Sequence, residues 1–435
     1  MLGAGEFLDE RHVLVIGGGI AGITASLELA LCGVKVTMLE ETPSIGGRMI
    51  QLDKTFPTLD CSSCTLTPKM VEVALNPNIE LLTLSSPVEI KKIKKGFNVT
   101  IKKKPRYVNP SLCTACGLCS DACVMKDRIK DEFNLYLSKR SAIYIPFPQA
   151  VPQKFLIDDK ACLFLSRGRC KKSCIEACGS NAIDFNEKEE IIQRDFDAII
   201  IATGFDLYEA AEKAEFGYGR LNGVITSIEF ERLCSVTGPT GGEIVLNGKT
   251  PKRFYFIQCV GSRDRQTGAR FCSRVCCMYT AKHANIIKDR IKDAQIFISY
   301  IDVRAYGKGY EEFYKNTQEL GVFYIRGIPG EISKSEDGLL VRVEDILTNE
   351  IIEVATDVVI LATGVRPHRG TEKLLDMMSV DSDSYGFITV SAIKSSQTNI
   401  DGIFVCGMAS GPKDIADTVA SAGEAAASCL EYITM

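Results

Sequence analysis

No stretch of this 435-residue chain is apolar for long enough to cross a bilayer. The longest runs, such as Ile199–Ala202 and Val358–Ala362, reach about a quarter of the length a spanning helix needs. Nor is there a surplus of charge of one sign. The net charge of −4 is too small to draw the chain to nucleic acid or to a membrane surface, so neither is expected as a partner. Met1–Glu10 is a short polar tail without the basic and apolar regions of a secretory leader. The eighteen cysteines are therefore not read as the disulfides of a secreted protein, and metal-type spacing places them as ligands in a reducing cytoplasm. With 46% apolar residues the chain can bury a large core, and its length suits two or three domains.

The cysteines are ordered. Cys113-Thr114-Ala115-Cys116-Gly117-Leu118-Cys119-Ser120-Asp121-Ala122-Cys123 reads C-x2-C-x2-C-x3-C. Three thiolates so spaced in a tight loop can converge on one iron–sulfur cube, while the fourth cysteine of such a run reaches the neighbouring cube. Cys113, Cys116, Cys119 and Cys178 are therefore assigned to one [4Fe–4S] cluster, and Cys123, Cys162, Cys170 and Cys174 to another. Val124 stands where a proline usually follows, and the second group is irregularly spaced. A structural zinc site and buried free thiols are the alternatives.

Upstream, the apolar run Arg11–Ile16 leads into Gly17-Gly18-Gly19-Ile20-Ala21-Gly22 and a helix to Leu31. This is G-x-G-x-x-G between strand and helix: Gly17 permits the turn, Gly19 the approach of a pyrophosphate, and Gly22 close packing of helix on strand. Ile20 and Ala21 open the helix whose N–H groups face the phosphates. A second strand, Val34–Leu39, ends at Glu40 and Glu41, where a carboxylate binds ribose hydroxyls. Gly46-Gly47-Arg48 follows, with Gly47 and Arg48 read against the flavin side of FAD. Cys61 and Cys64 form a C-x2-C with three open readings: a redox dithiol, ligands to a further shared cluster, or two quiet thiols at a helix start. Residues 79–104 alternate apolar and polar and read as a small antiparallel meander. Asn98–Lys102 and Glu190–Gln193 read as the two strands of a hairpin with the cluster region inserted at its tip, closed by a strand over 181–185.

Phe196–Gly204 is a strand ending in Ala202-Thr203-Gly204, and Thr356–Gly364 is a second copy ending in Ala362-Thr363-Gly364. Two copies imply two dinucleotide-binding domains, the second inserted into the first. Expected boundaries are 1–106, 190–250 and 356–435 for the FAD-binding domain with its linker, 107–189 for a ferredoxin-like module, and 251–355 for a nicotinamide-type domain. The second domain has its strand, Arg253–Gln258, but not its glycines; only Gly261 remains, in Cys259-Val260-Gly261-Ser262. Without glycines a backbone cannot approach a pyrophosphate, so NAD(P)H binding is not expected there. Cys259, Cys272, Cys276 and Cys277 supply four thiolates instead, with Cys272 and Cys276 expected on one helix face at i and i+4. The final strand ends at Gly407-Met408, where flavoproteins often carry Gly-Asp; Asp414 and Ile415, opening the last helix, are candidates for the missing contact.

Four segments together resemble the family of A-type subunits of heterodisulfide reductase: Asp60–Met70, Gln258–Asp264, Cys272–Met278 and Gly411–Ile415. The resemblance covers nearly the whole chain. It implies an α/β, thioredoxin-reductase-like flavoprotein with an inserted ferredoxin-like module, FAD, about three [4Fe–4S] clusters and oxidoreductase activity in electron transfer. It implies a homodimer within a larger complex, with B- and C-type subunits that reduce a disulfide. An electron-input module of hydrogenase, formate dehydrogenase or NADH-dehydrogenase type feeds it, and ferredoxin is a further partner where the flavin bifurcates electron pairs. Longer relatives add cluster domains at both ends, so this sequence reads as a short form. The rival reading is a self-contained NAD(P)H-dependent disulfide reductase using Cys61 and Cys64.

Overall fold

The computed structural model describes residues 10–435, so the tail read over Met1–Glu10 falls, but for Glu10, outside it. Five parallel strands form the first sheet, in the order Ile403–Val405, Ala198–Ile201, His12–Ile16, Lys35–Glu40, Ile79–Thr83. Their near-continuous Val/Ile/Leu content follows from burial of both faces. Val13, Val15, Met38 and Ile200 face the helices Ile20–Leu31 and Ile415–Thr434, which contribute Ile23, Leu29, Ala422 and Ala425. Leu14, Ile16, Ile199 and Ile201 face the other way, onto Val99, Ile101, Phe196 and the helix Thr371–Met378. The last strand and helix of the chain thus complete the sheet that its first strand opens.

A three-stranded antiparallel sheet lies beside it, Glu190–Phe196, Phe97–Lys103, Ser85–Lys92. The meander expected over 79–104 is corrected at its first strand. Ile79–Thr83 pairs in parallel with Lys35–Glu40, because the helix Ser62–Leu75 makes a crossover that returns the chain in the same direction. An edge strand buried on one side alternates just as a meander strand does, and periodicity cannot separate them.

The second domain repeats the plan. Its parallel order is Val224–Thr226, Val358–Thr363, Arg253–Val260, Gln295–Tyr300, Phe323–Arg326, and its antiparallel partner sheet is Glu331–Ser335, Gly338–Asp345, Glu350–Thr356. The domains are linked by Phe205–Leu207 paired with Val365–Pro367.

Residues between Phe97–Lys103 and Glu190–Phe196, which pair from Phe97 with Phe196 to Lys103 with Glu190, form the inserted module. Two short antiparallel pairs and three short helices surround a core of thiols, Ile143, Phe155 and Ile157. Residues 181–185 do not form the expected closing strand; a single bridge joins Val108 and Ile183.

Three parts of the chain meet on one side chain. Arg232, from the helix Ser227–Cys234, is 0% exposed. It donates to Asn134 Oδ1 of the module at 2.9 Å, to the Gln51 carbonyl of the first domain at 3.1 Å and to Thr237 at 3.2 Å. Its guanidinium lies 4.8 Å from the Phe133 ring centroid. R232A would leave the buried Gln51 carbonyl unpaired and remove the bonds to Asn134 and Thr237, at a cost of about 3 kcal/mol by urea denaturation. Exposed K292A should stay within about 0.5 kcal/mol of the parent.

Candidate functional site

At the carboxyl ends of the first parallel sheet lies a cavity of about 550 Å³. This is where doubly wound folds bind ligands. Gly17 has φ +114°, and a Cβ there would meet the Ala202 carbonyl at 2.3 Å. A Cβ on Gly22 would meet the Gly17 carbonyl at 1.9 Å, so this glycine serves helix packing rather than ligand contact. Gly19 is different: nothing but Gly47 Cα, at 4.0 Å, lies near its added Cβ, and the space belongs to the cavity. Gly19 also caps the helix Ile20–Leu31 with no side-chain bond, leaving the first N–H groups for an anion. Glu40 accepts from the Gly18 and Thr42 N–H groups, both at 2.8 Å, and burial pushes its pKa up, so hydroxyl donors from a ligand suit its remaining lone pairs.

Gly17, Gly19, Ile20, Ala21, Glu40, Gly47, Arg48, Ala202, Thr203, Gly204, Met408, Asp414 and Ile415 line this cavity. Gly22 packs helix on strand, the role its place in the motif predicts, and three expected contacts lie elsewhere: Glu41 is exposed and faces Lys104 at 4.0 Å; Gly364 abuts Ser262 and Ser273; and Gly407 lets the last strand approach Ala21. Both carboxylate oxygens of Asp414 are engaged within the chain, one by the Asp417 N–H at 2.8 Å and the other by the Tyr310 hydroxyl at 2.7 Å.

Two walls of the cavity escape a reading of the first domain's sequence. The inserted module contributes Phe133, Tyr144 and Phe147, with Phe133 stacked on Phe147 at 4.6 Å. The second domain contributes Glu231, Lys282, His283 and Tyr279. Glu231 is contacted by the Lys282 ammonium and by His283 Nε2 at 2.5 Å, all three being at most 3% exposed. Lys282 also donates to the Lys54 carbonyl at 2.9 Å, and Glu231 accepts from the Asp53 N–H at 3.0 Å. His283 Nδ1 is buried with no partner among the described residues, as is Thr363 Oγ1; both residues line the cavity, so polar groups of a ligand have places to bond. Nothing in the sequence marks Glu231 or Lys282, since burial and pairing arise only when distant segments of the chain meet.

The thiols gather in three groups. Cys119 has the thiols of Cys113, Cys116 and Cys178 as neighbours; burial first, then those thiols, pushes its pKa up to about 12. Cys174 is pushed up to about 11 by burial and by Cys123, Cys162 and Cys170, and these four line one void. Cys259, Cys272, Cys276 and Cys277 line another, with Arg263, Arg274, Asp302 and Arg304. Here the i, i+4 helical reading is corrected. The helix starts at Cys276, and Cys272 lies in the preceding loop, where Arg274 takes φ +64° and donates its N–H to Cys272 Sγ at 3.3 Å. Among the described residues no three ligand-type side chains are close enough to hold a single ion. The second and third groups surround voids instead, as the thiolates of a four-iron cube must.

Gly261 has φ +73°, and the Tyr208 ring lies 2.1 Å from where its Cβ would be; Arg366 stacks on that ring at 4.8 Å and donates to the Gly261 carbonyl at 2.6 Å. An aromatic ring thus covers the turn at which a nicotinamide dinucleotide would approach. Cys61 and Cys64 are joined as a disulfide at the start of the helix Ser62–Leu75, where Cys61 Sγ accepts the Cys64 N–H at 3.2 Å; neither residue lines the cavity.

The charged triad gives the fold an acid limit. Burial raises Glu231, but Lys282 and His283 beside it prevail and hold it at about 2; burial keeps His283 below its ordinary range against the pull of Glu231. Both groups bind fewer protons folded than unfolded, so stability falls as the pH falls. The His283 part is full above its unfolded value of 6.5, and the Glu231 part declines from 4.5 toward 2. E231Q should cost about 3 kcal/mol at neutral pH and flatten the decline below pH 4.5, read as urea midpoints against pH.

Residues 15–68 match a family described as "NAD(P)-binding Rossmann-like domain", and residues 106–123 one described as "4Fe-4S binding domain". Thioredoxin reductases of T. acidophilum and Lactococcus lactis share the fold, each with a TM-score of 0.53, at 16% and 15% identity; they cover 97% and 98% of this chain, and 99% of each is covered. The A-type subunit of the H(2):CoB-CoM heterodisulfide,ferredoxin reductase of Methanothermobacter thermautotrophicus is 46% identical over 98% of this chain and 64% of its own length. The iron-sulfur A-type subunit of the CoB–CoM heterodisulfide reductase of Methanocaldococcus jannaschii is 46% identical over 96% and 63%. The chain thus spans somewhat less than two thirds of these relatives. An Archaeoglobus profundus protein described as like the A-type subunit of heterodisulfide reductase is 42% identical over 98% of this chain and 68% of its own length. With the glycine cradle, the inserted cysteine module and the thiol group of the second domain in place, this chain belongs to the family of A-type subunits of heterodisulfide reductase.

Proposed function

We propose that the chain is the FAD- and [4Fe–4S]-bearing electron-transfer component of a heterodisulfide-reductase-type complex. The observation that supports this reading is the gathering of twelve cysteines into three groups of four in a chain that also holds one dinucleotide cavity. When bound, FAD exchanges electrons in pairs or singly, and each four-iron cluster carries one at a time, so a flavin among clusters splits pairs.

The residues of the chain bind and orient. The first N–H groups of the helix Ile20–Leu31 would hold the pyrophosphate, and Glu40 would hold the ribose. Phe133, Tyr144 and Phe147 wall off water. The Lys282 side chain, paired with Glu231 in a buried site, faces the cavity and offers its N–H groups to polar atoms of the bound ligand. One helix, Cys276–Arg290, carries Cys276 and Cys277 at its start and Tyr279, Lys282 and His283 along the cavity. Tyr279, three residues after Cys276 on that helix, lines the cavity and donates to the Thr363 carbonyl at 3.0 Å. The ligand sets are Cys113, Cys116, Cys119 and Cys178; Cys123, Cys162, Cys170 and Cys174; and Cys259, Cys272, Cys276 and Cys277.

On this reading the chain acts in the cytoplasm as a homodimer within a larger assembly. B- and C-type subunits reduce a disulfide, a hydrogenase, formate dehydrogenase or NADH-oxidising module supplies electrons, and ferredoxin is a one-electron partner. Among the described residues no helix is long and apolar enough to cross a membrane. The self-contained NAD(P)H-dependent reductase is disfavoured by the Tyr208 ring over Gly261 and by the absence of Cys61 and Cys64 from the cavity lining.

Anaerobically purified protein should carry about twelve irons per FAD, and C272A should lose about four of them with the matching EPR signal. About eight irons, unchanged by C272A, would remove the cluster from the second domain.

A further inference from the structure

The loop that completes the second cysteine group of the inserted module is basic and unpaired. Between Cys162 and Cys174 the chain carries Arg167, Arg169, Lys171 and Lys172 and no acidic residue, within a chain of net charge −4. The helix Leu163–Arg167 stops at Gly168, φ +64°, and Lys172 takes φ +60°, so the backbone doubles back and the Lys172 N–H donates to Cys170 Sγ at 3.4 Å. Arg169 and Lys171 therefore flank the thiol. Arg167, Arg169 and Lys171 are exposed, and none forms an ion pair among the described residues. Four carboxylates of the module are held elsewhere, Asp121 by Lys126, Glu132 and Asp158 by Arg140, and Glu189 by Lys102, while Glu176, at the end of the helix Ser173–Glu176, is exposed beside the loop, whose four cations outnumber it. Lys172 Nζ sits 3.7 Å from the Phe164 ring centroid, which keeps a fourth charge beside the loop. Apolar surface adjoins the cations: Val124, on the void that Cys170 also lines, is 46% exposed, and Ile175, next to Cys174, is 37% exposed.

Solvation alone requires neither the clustering of like charge nor its placement around a thiol. A cation ring with apolar spots over a near-surface redox group is what an acidic carrier needs: long-range steering, then a short dry contact. A nucleic acid would need a longer basic stripe to follow its phosphates.

We propose that this face docks a small acidic one-electron carrier protein. One electron passes between the carrier's redox group and the cluster held by Cys123, Cys162, Cys170 and Cys174; one centre is oxidised by one electron, the other reduced by one, and no bond or proton moves. The proposal rests on the cluster reading above and adds the surface and the partner's chemistry.

The test uses the holoprotein with its whole chain and a small acidic [4Fe–4S] ferredoxin, with a single-stranded oligonucleotide as competitor. Binding should weaken about tenfold when ionic strength rises from about 0.05 to 0.5 M. The triple variant R167E/R169E/K171E should weaken low-salt binding by at least about tenfold and lose the salt dependence, with iron content and cluster EPR unchanged. If the reversal lowers iron content, R169Q/K171Q decides, with an expected loss of about threefold. Unchanged ferredoxin affinity in the variants, or displacement of ferredoxin by the oligonucleotide, would overturn the proposal. Salt-dependent binding to a chain without cluster EPR would instead overturn the cluster reading and leave the docking surface standing.

Discussion

Two adjacent residues of opposite charge, Glu231 and Arg232, hold the molecule in one arrangement. Both are buried in the helix Ser227–Cys234, yet they point to different partners. Arg232 bonds outward to the module and to Gln51 of the first domain, while Glu231 bonds to Lys282 and His283 of its own domain and to the Asp53 N–H of the first. A buried charge without its partners costs several kcal/mol, so domains and module must assemble in the one geometry that satisfies all of them. Arg290 reinforces the same seam by pairing with Asp53 at 2.7 Å. The cavity walls inherit their positions from this constraint.

The second domain shows how one architecture is put to another use. Its strand order and antiparallel companion repeat those of the first domain, but the turn after its first long strand holds a thiol and is covered by Tyr208. What the glycine turn does in the first domain, admitting a ligand to the backbone, is closed off in the second. The same corner instead gathers four thiols. Because Cys276 and Cys277 open the helix that carries Lys282 and His283, two of the four thiols and one wall of the cavity are fixed relative to each other by a rigid element.

The inserted module also has a structural part. It grows from a hairpin paired from Phe97–Phe196 to Lys103–Glu190, so its thiols stand on a stiff stem. Its Phe133, Tyr144 and Phe147 turn back to cover the cavity of the domain it leaves. Insertion at a hairpin tip costs the parent sheet nothing in register, which is why the fold tolerates it.

Much of this was legible in the sequence because the signals are local. Gly17, Gly19 and Gly22 have their roles fixed by steric limits a few residues wide, and the Cys113–Cys123 spacing sets which thiols a tight loop can bring together. The parallel strands announce themselves as unbroken apolar runs, since both their faces are covered. The failures were equally physical. An edge strand at Ile79–Thr83 alternates as a meander strand does, and helical spacing placed Cys272 on a helix that a left-handed Arg274 delays until Cys276. The Glu231–Lys282–His283 triad and the aromatic cover from the module had no sequence signal at all. Their partners lie on segments far apart in the chain, and only packing removes them from water and makes their charges and rings count. Strands, glycine cradle and cysteine runs were thus specified residue by residue along the chain, because each rests on backbone sterics or short loop closure. Which walls the cavity has was left to the assembled fold, because burial and pairing exist only once distant segments meet.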